Sequence, residues 1–308
     1  MRPKISVITP SFNQGSFLEQ TITSVLSQSY ENLEFILIDG GSSDNSIEII
    51  RKYSSRITYW ESAPDDGQSS AINKGLQICS GDIICWLNSD DTFLDGCLSF
   101  VARNLSYHKT PQWLIGGTKV VDKDGRTLYD RSTHYVGIST FSDWSKHWFP
   151  QQSTFWNRRM LQQVGFLRDD LHFIMDYDYW IRMFKVCNPI LSDELLSTYR
   201  YHSDAKCISK PSSVLSELKL VHSKNFITDK SLLILHSLIR ASAFAYSLPA
   251  LSSASPLYNA YLEKFFRVVI KVWTIIIDTF WNIICRPLLY SSCIFSRFFV
   301  SLFRPLFN

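Results

Sequence analysis

The residues with the clearest chemical potential lie in the stretch NSDD at residues 88–91. The apolar run 83–87 ends there, and two adjacent carboxylates, Asp90 and Asp91, follow. Because like charges repel, a cation or a set of donors has to compensate them. Carboxylate and amide oxygens suit Mg²⁺ or Mn²⁺, and a metal held by few carboxylates takes its other ligands from water and substrate phosphates. The stretch predicts a metal–diphosphate site; alternatively, both acids cap a helix starting near Phe93.

The elements that must position this stretch alternate between short apolar runs and amphipathic segments. The runs KISVIT, LEFILID, RITYW and DIICWL predict buried strands. Helices are expected after Ser16, which with Glu19 predicts a capping box, and over GQSSAINKGLQICSG. Continuous apolar strands alternating with helices predict an α/β fold, with a mostly parallel central sheet and helices on both faces. Ligands bind such sheets at the carboxyl ends of the strands, where all four loops are polar.

Composition narrows the class of protein. The chain has 308 residues, 45% of them hydrophobic, and a net charge of only +3, so nothing predicts a nucleic-acid partner. The seven cysteines include no Cys-x-x-Cys pair, which favours reduced thiols in a cytoplasmic protein. The apolar run at the N-terminus is shorter than a signal peptide requires. No Gly-x-Gly-x-x-Gly follows a strand and no Gly-Lys-Ser/Thr loop exists, which argues against a dinucleotide site or a P-loop.

Several segments in order resemble one known family, the inverting family 2 glycosyltransferases, which have the Rossmann-like GT-A fold. The resemblance lies in ISVITPSFNQGSFLEQTITSVLSQSYENLEFILIDGGSSDNSIEII, APDDGQSSAINKGLQICSGDIICWLNSDD, FPQQSTFW, MDYDYWIRM and YRYHSDAKC, roughly residues 4 to 210. It implies transfer of a sugar from a nucleotide donor, with a UDP-sugar favoured, to a hydroxyl group, assisted by Mg²⁺ or Mn²⁺.

The resemblance also implies donor contacts. Phe12 would lie against the base, although a loop aromatic can also close a core. Asp39 would bond the base or ribose, where its other role is to form the turn before Gly40. Lys74 is either a phosphate counter-charge or a solvated helix lysine. The implied donor-binding set is Thr9, Pro10, Phe12, Asp39, Asp66, Gln68, Asn73, Lys74, Asn88 and Asp90.

The implied metal ligands are Asp90, Asp91 and His202. Many relatives carry aspartate where this chain has Asn88, so the metal would depend mainly on Asp90, with Asp91 supporting or capping. A lone histidine such as His202 is also often structural.

The implied catalytic base is Asp176, in an acidic pair whose usual first acid is replaced by Met175. Its bland alternative is a helix N-cap. Asp178 points elsewhere on a helix, since two residues turn about 200°, and either lines the acceptor side or pairs with Arg182 at i+4. The remaining implied acceptor-side residues are Gln151, Gln152 and Trp148.

Two rival functions stay open at this point. A nucleotidyltransferase making a nucleotide sugar would need a basic, glycine-rich loop after the first strand, and TPSFNQGSF has no basic residue. A non-catalytic binding protein on the same fold would explain Asn88 and Met175 as signs of decay, whereas Asp90 and Asp176 argue for activity.

The last part of the chain differs in composition. We expect a catalytic domain over residues 1–225 and a helical extension over 226–308. Residues 264–308 hold six basic residues and one acid, in stripes opposite wide apolar faces, and charges interrupt every apolar run before it could span a membrane. This pattern predicts amphipathic helices on a membrane surface, and hence a peripheral protein at the cytoplasmic face acting on a lipid-linked saccharide for cell-surface polysaccharide. A helical hairpin or an oligomer interface is the alternative.

Overall fold

The structure is a computed structural model that describes residues 2–133, 149–202 and 211–225. Its strands form one sheet in the order β3-β2-β1-β4-β8-β6-β9-β5, with β7 paired to β6. The strands are β1 (Ile5–Ser11), β2 (Leu33–Asp39), β3 (Tyr59–Ser62), β4 (Ile83–Trp86), β5 (Thr92–Phe93), β6 (Trp113–Val121), β7 (Thr127–Arg131), β8 (Thr154–Asn157) and β9 (Ile190–Arg200). The helices are α1 (Leu18–Leu26), α2 (Ser46–Tyr53), α3 (Gln68–Ile78), α4 (Cys97–Asn104), α5 (Arg158–Val164), α6 (Met175–Phe184) and α7 (Pro211–Asn225), and a short 3₁₀ helix covers Gln151–Ser153.

The direction of the strands changes across the sheet. The first four along the chain, β3, β2, β1 and β4, run parallel, as the apolar runs predict. Beyond them, β8 is antiparallel to β4 and β6, while β9 is parallel to β6 and antiparallel to β5. The predicted α/β class is therefore confirmed. In the parallel half of the sheet, β4 leads into the acidic stretch, and in the mixed half, β9 ends beside that stretch.

Each central strand is buried on both faces. In β2, Phe35 and Leu37 belong to the core that contains α1, α2 and α4. The alternate residues Ile36 and Ile38 belong to the core that contains α3, α5, α6 and α7. Side chains alternate between the faces of a strand, so a run without polar breaks requires cover on both sides. This accounts for the continuous apolar character of LEFILID and confirms helices on both faces.

The predicted capping box at the start of α1 is wrong. The helix begins at Leu18, and no side chain caps its N-terminus. The Glu19 carboxylate instead accepts hydrogen bonds from Lys52 at 2.6 Å and Tyr53 at 2.7 Å, both on α2. A tertiary contact between helices has replaced the local one that the spacing suggested.

The interpretation of Asp90 and Asp91 as helix caps is also wrong. The residues that follow them form the short strand β5, and α4 begins only at Cys97, after Gly96 in a left-handed conformation. β5 pairs with the end of β9, and the hydroxyls of Thr92 and Thr198 are 2.7 Å apart. This pairing brings the end of β9 beside the acidic stretch.

The predicted boundary at residue 225 stays a prediction, because 226–308 lie outside the described residues. Within the part of the chain that the structure describes, no helix has the length and apolarity needed to cross a membrane. The described cysteines are free thiols: Cys79, Cys85 and Cys97 are buried, and Cys187 is half-buried.

Candidate active site

The centre of the candidate site is Asp90, in the loop that leaves the carboxyl end of β4. Its Oδ2 lies 3.2 Å from Nε2 of His202, a residue 112 positions away in the chain. The side chain of Asp90 is 24% exposed and that of His202 only 6%. The carboxylate is therefore open to a ligand, whereas most of the imidazole is buried against the protein. The ring of Phe17 packs against His202, with centroids 5.1 Å apart.

Asp91 has a different environment from its neighbour. Its side chain is buried, and Oδ1 accepts a hydrogen bond from the backbone N–H of Arg200 at 2.9 Å. Desolvation raises its pKa well above the ordinary value, and the charge of Asp90 raises it further. The two carboxylates are therefore divided, with Asp90 facing outward and Asp91 fixing the loop to β9.

The residue that compensates this acidic loop is Arg200, to which the sequence analysis assigned no role. Its guanidinium donates to the carbonyl oxygens of Asp90 at 2.9 Å and Lys123 at 2.8 Å, and to the side-chain oxygen of Gln20 at 2.6 Å. It also lies over the ring of Phe17 at 4.9 Å. An arginine that is 3% exposed and donates from each of its three side-chain nitrogens is a rigid support. Its position as the last residue of β9 was the available signal.

The side chains at this position fit a divalent metal of the Mg²⁺ or Mn²⁺ type. Asp90 and His202 offer one carboxylate and one imidazole next to each other, and Mn²⁺ accepts both kinds of donor. Asp91 already accepts a hydrogen bond from Arg200, so it would support the loop that carries the ligands and would not bind the metal itself. No group of three potential ligands occurs among the described residues, so most of the coordination would have to come from a diphosphate and water.

The predicted base, Asp176, lies in the first turn of α6 and is half-buried. Desolvation raises its pKa from the ordinary 3.8 to about 6. Its Oδ1 accepts from the N–H of Tyr177 at 2.7 Å, and the residue before the helix is Ile174, so Asp176 is not the N-cap. A carboxyl group with this pKa is ionised at neutral pH and remains a stronger base than an ordinary aspartate.

Asp178, two residues further on, has a structural environment. It is buried, and its Oδ2 accepts from Nε of Arg182 at 3.0 Å, the predicted i+4 ion pair. Arg168 approaches its other oxygen at 3.8 Å. Environment therefore separates this pair too: no cation among the described residues pairs with Asp176, whereas Asp178 lies between two arginines.

The predicted donor side chains are divided between strands, the helix α3 and the neighbouring loops. Gln68, at the start of α3, donates to the Oδ1 of Asn88 at 2.9 Å, which ties α3 to the acidic stretch. Phe12 is 60% exposed, so it does not close the core. Thr9 and Pro10 are buried in β1 beneath it. The Oγ1 of Thr9 has no hydrogen-bond partner among the described residues.

Asp39 is fully buried and engaged within its own turn. Its two oxygens accept from the N–H groups of Gly41 and Ser42 and from the hydroxyls of Ser42 and Ser62, at 2.6–3.1 Å. The turn-forming role is thus present, and a base would meet a carboxylate that already has four donors.

The other predicted donor contacts divide in the same way. Asp66 is exposed. Lys74 forms an ion pair with Glu61. Asn73 is buried, where its side chain bonds the backbone of Leu167 in both directions and the carboxylate of Asp169.

The predicted acceptor-side glutamines are both buried. Gln151 donates to the carbonyl of Trp86 at 2.7 Å, and its Oε1 has no partner among the described residues. Gln152 donates to Thr118 at 3.0 Å. Trp148 lies outside the described residues.

A stack of aromatic rings connects the two halves of the site. Trp86, the last residue of β4, lies against Trp180 of α6 with centroids 5.2 Å apart and planes at 10°. β4 leads into the loop of Asp90, and α6 carries Asp176. The core thus fixes the helix of the candidate base against the strand of the candidate metal ligand.

This geometry defines an α/β enzyme of the glycosyltransferase class with a GT-A fold. Residues 6–187 match the family described as glycosyl transferase family 2, which is more than half of the chain, and the protein belongs to that family. An uncharacterized glycosyltransferase of Mycobacterium tuberculosis is 30% identical over 195 residues, covering 61% of this chain and 71% of that protein. One from Haemophilus influenzae is 41% identical over 109 residues, covering 33% and 44%.

Solved structures support the fold. TarS of Staphylococcus aureus, residues 1–349 in complex with UDP-GlcNAc, aligns with a TM-score of 0.58 at 17% identity and covers 73% of this chain and 67% of that one. The mannosyltransferase PcManGT of Pyrobaculum calidifontis, in complex with GDP-Man and Mn²⁺, aligns with a TM-score of 0.54 at 17% identity, covering 87% and 83%. The GT-A prediction is confirmed.

Proposed function

We propose that this protein is an inverting, metal-dependent glycosyltransferase that moves a sugar from a nucleoside-diphosphate donor to a hydroxyl group. The observation that carries the proposal is the arrangement on β4 and the helix packed against it. The loop after β4 presents Asp90 beside His202, and α6 presents Asp176 with a pKa of about 6. A cation site for a diphosphate and a base for a hydroxyl are the two groups that a single displacement requires.

Asp90 and His202 would hold the metal, which when bound supplies positive charge for the departing diphosphate. Asn88 lies beside them and is already oriented by Gln68, so its amide suits a neutral hydroxyl of the donor. Arg200 fixes the loop after β4 by donating a hydrogen bond to the backbone carbonyl of Asp90. These residues bind and orient the donor.

Asp176 would accept the proton of the acceptor hydroxyl as that oxygen attacks the anomeric carbon from the face opposite the leaving group. The new glycosidic bond forms as the bond to the diphosphate breaks, which inverts the anomeric configuration. The proton ends on the Asp176 carboxylate. Proton transfer of this kind contributes about 10²–10⁴-fold to rate.

Donor binding and stereochemistry test this function. We expect UDP, the favoured nucleotide, to bind in calorimetry only when Mn²⁺ or Mg²⁺ is present, and Asp90→Asn to remove that dependence. A hydrolysis screen over UDP- and GDP-sugars should identify the donor, and NMR of the product should show the inverted anomer. Metal-independent binding of UDP would contradict the metal role, and a retained anomer would contradict the mechanism. Synthesis of a nucleotide sugar from a sugar phosphate would instead identify a nucleotidyltransferase.

The acceptor and location that we propose rest on the sequence of residues 264–308, which lie outside the described residues. Basic stripes opposite wide aromatic and aliphatic faces suit a membrane interface, where each basic residue near an anionic surface contributes about 1 kcal/mol. A peripheral enzyme at the cytoplasmic face would act on a lipid-linked saccharide of a cell-surface polysaccharide. Flotation of the full-length protein with anionic liposomes, resistant to high salt but reversed by detergent, is the expected result. Protein that remains in the soluble fraction would remove the support for a lipid-linked acceptor.

A further inference from the structure

The segment that leads into α6 is held by a side chain from the last described helix. Glu217, on α7, accepts hydrogen bonds from three consecutive backbone N–H groups: His172 at 2.8 Å, Phe173 at 2.8 Å and Ile174 at 3.2 Å. Ile174 is the residue immediately before α6, and Asp176 follows two positions later. Successive N–H groups that point to one place form a concave anion site, and here the anion is this chain's own carboxylate.

We propose that Glu217 is a positioning residue for the catalytic base: it fixes the backbone before α6 and so sets the approach of Asp176 to the acceptor hydroxyl. This inference rests on the proposed function. Charge-assisted hydrogen bonds are the stronger class, and three of them to one carboxylate restrain this stretch of backbone. Because Asp176 lies two residues beyond the end of the stretch, a shift of the stretch displaces the base directly.

The other end of the same segment is fixed to the donor side independently. Asn73, on α3, bonds the backbone of Leu167 in both directions, and the hydroxyl of Ser69 donates to the carbonyl of Leu171 at 2.6 Å. Removing Glu217 therefore removes three hydrogen bonds from the end near Asp176 and leaves the end near α3 in place. We expect the donor site to keep its geometry while the base loses its own.

α7 itself does not depend on Glu217 for its place. Leu218 and Val221 are fully buried in the core that also contains α6. A second contact, from Nζ of Lys185 to Oδ1 of Asn225 at 2.6 Å, joins α7 to the far end of α6. Glu217→Ala therefore should leave the helix docked, and Asn225→Ala is a matched control, because it removes a contact of the same helix, α7, far from Asp176.

Glu217 also lies outside residues 6–187, the part that matches the family. The described segment beyond that match thus contributes one support to each half of the site: Arg200 to the acidic loop and Glu217 to the base helix.

The experiment compares Glu217→Ala, Glu217→Gln, Asn225→Ala and Asp176→Asn with the wild type. It measures kcat and KM with the nucleotide sugar found in the donor screen, and UDP affinity in the presence of Mn²⁺. A displacement of about 1 Å can cost 10²-fold, so we expect Glu217→Ala to lower kcat by about 10- to 100-fold. Glu217→Gln, which keeps one acceptor oxygen, should lie between Glu217→Ala and the wild type. UDP affinity should stay within about twofold in both, and Asn225→Ala should match the wild type.

Two results would overturn the inference. One is a kcat for Glu217→Ala within about twofold of the wild type. The other is a parallel loss of kcat, UDP affinity and thermal stability, which indicates a merely structural contact. Asp176→Asn separates this inference from the proposed function: if it retains full turnover, the assignment of the base fails, whereas if it is inactive and Glu217→Ala is not, only the positioning role fails.

Discussion

Replacing Asp176 with asparagine should make the protein less active and more stable. Asparagine has nearly the same shape but cannot accept the proton, so turnover should fall by about 10²-fold or more. Desolvation raises the pKa of Asp176 from 3.8 to about 6. Since each pKa unit is 1.36 kcal/mol, ionising the group in the fold costs at most about 3 kcal/mol. The side chain is only half-buried, so solvent screening reduces this figure and we expect a gain of about 1–2 kcal/mol at pH 8.

The gain in stability should depend on pH with a definite sign. Between the unfolded pKa near 3.8 and the folded pKa near 6, Asp176 binds more protons in the folded protein than in the unfolded chain, so its contribution to wild-type stability falls as pH rises. The asparagine variant lacks this titration. The two proteins should therefore be similar near pH 4, diverge as pH rises through 6, and reach a constant difference above about pH 7. Urea unfolding across this range measures the difference.

Asp178→Asn is the matched control, two residues away on the same helix. It should have the opposite effect on stability, because Asp178 pairs with Arg182 at 3.0 Å and lies 3.8 Å from Arg168. Hydrogen bonds to charged groups contribute about 1.5–3 kcal/mol, so a loss of that size is expected. If Asp176→Asn were the destabilised variant, or if Asp178→Asn alone lost turnover with its stability intact, the assignment of the two acids would be refuted.

Two other substitutions probe residues away from the base. Burial raises the pKa of Glu34. Hydrogen bonds from Lys4, Ser6 and Ser80 outweigh this effect and bring the pKa to about 2. Glu34→Gln should therefore cost about 2–3 kcal/mol in urea unfolding at pH 7, a difference that disappears as pH falls from about 4.5 towards 2; equal midpoints at every pH would contradict it. Lys74→Ala breaks an exposed ion pair with Glu61, and because that pair already engages the ammonium group, UDP affinity in calorimetry should stay within about twofold. A loss above about tenfold would show that Lys74 leaves Glu61 for the diphosphate.

The sequence predicted the features that depend on local pattern. The apolar run at 83–87 correctly predicted β4 and the polar loop after it. The i+4 spacing of Asp178 and Arg182 correctly predicted their ion pair. The separate environments of Asp90 and Asp91 could not be read locally, because Arg200 and His202 reach them from 109 to 112 residues away. The predicted capping box at the start of α1 was wrong for the same reason, because the carboxylate of Glu19 bonds side chains of α2.

Long-range pairing also explains why the supports of the site were not predicted. Glu217 contacts backbone N–H groups, which every residue carries, so its partners at 172–174 have no sequence signature. Asn73 is similar: its amide is engaged by Leu167 and Asp169, which gives a motif residue a structural task in addition to the implied donor contact.

The near-parallel rings of Trp86 and Trp180 have an optical consequence. Two indoles 5.2 Å apart at 10° share their electronic excitations, and the circular dichroism of such a pair is sensitive to small changes in separation and angle. One ring closes the strand before the acidic loop, and the other belongs to the helix of Asp176. The near-ultraviolet circular dichroism of the protein should therefore change if that helix moves relative to β4 when the donor binds. No attached label is needed to detect such a movement.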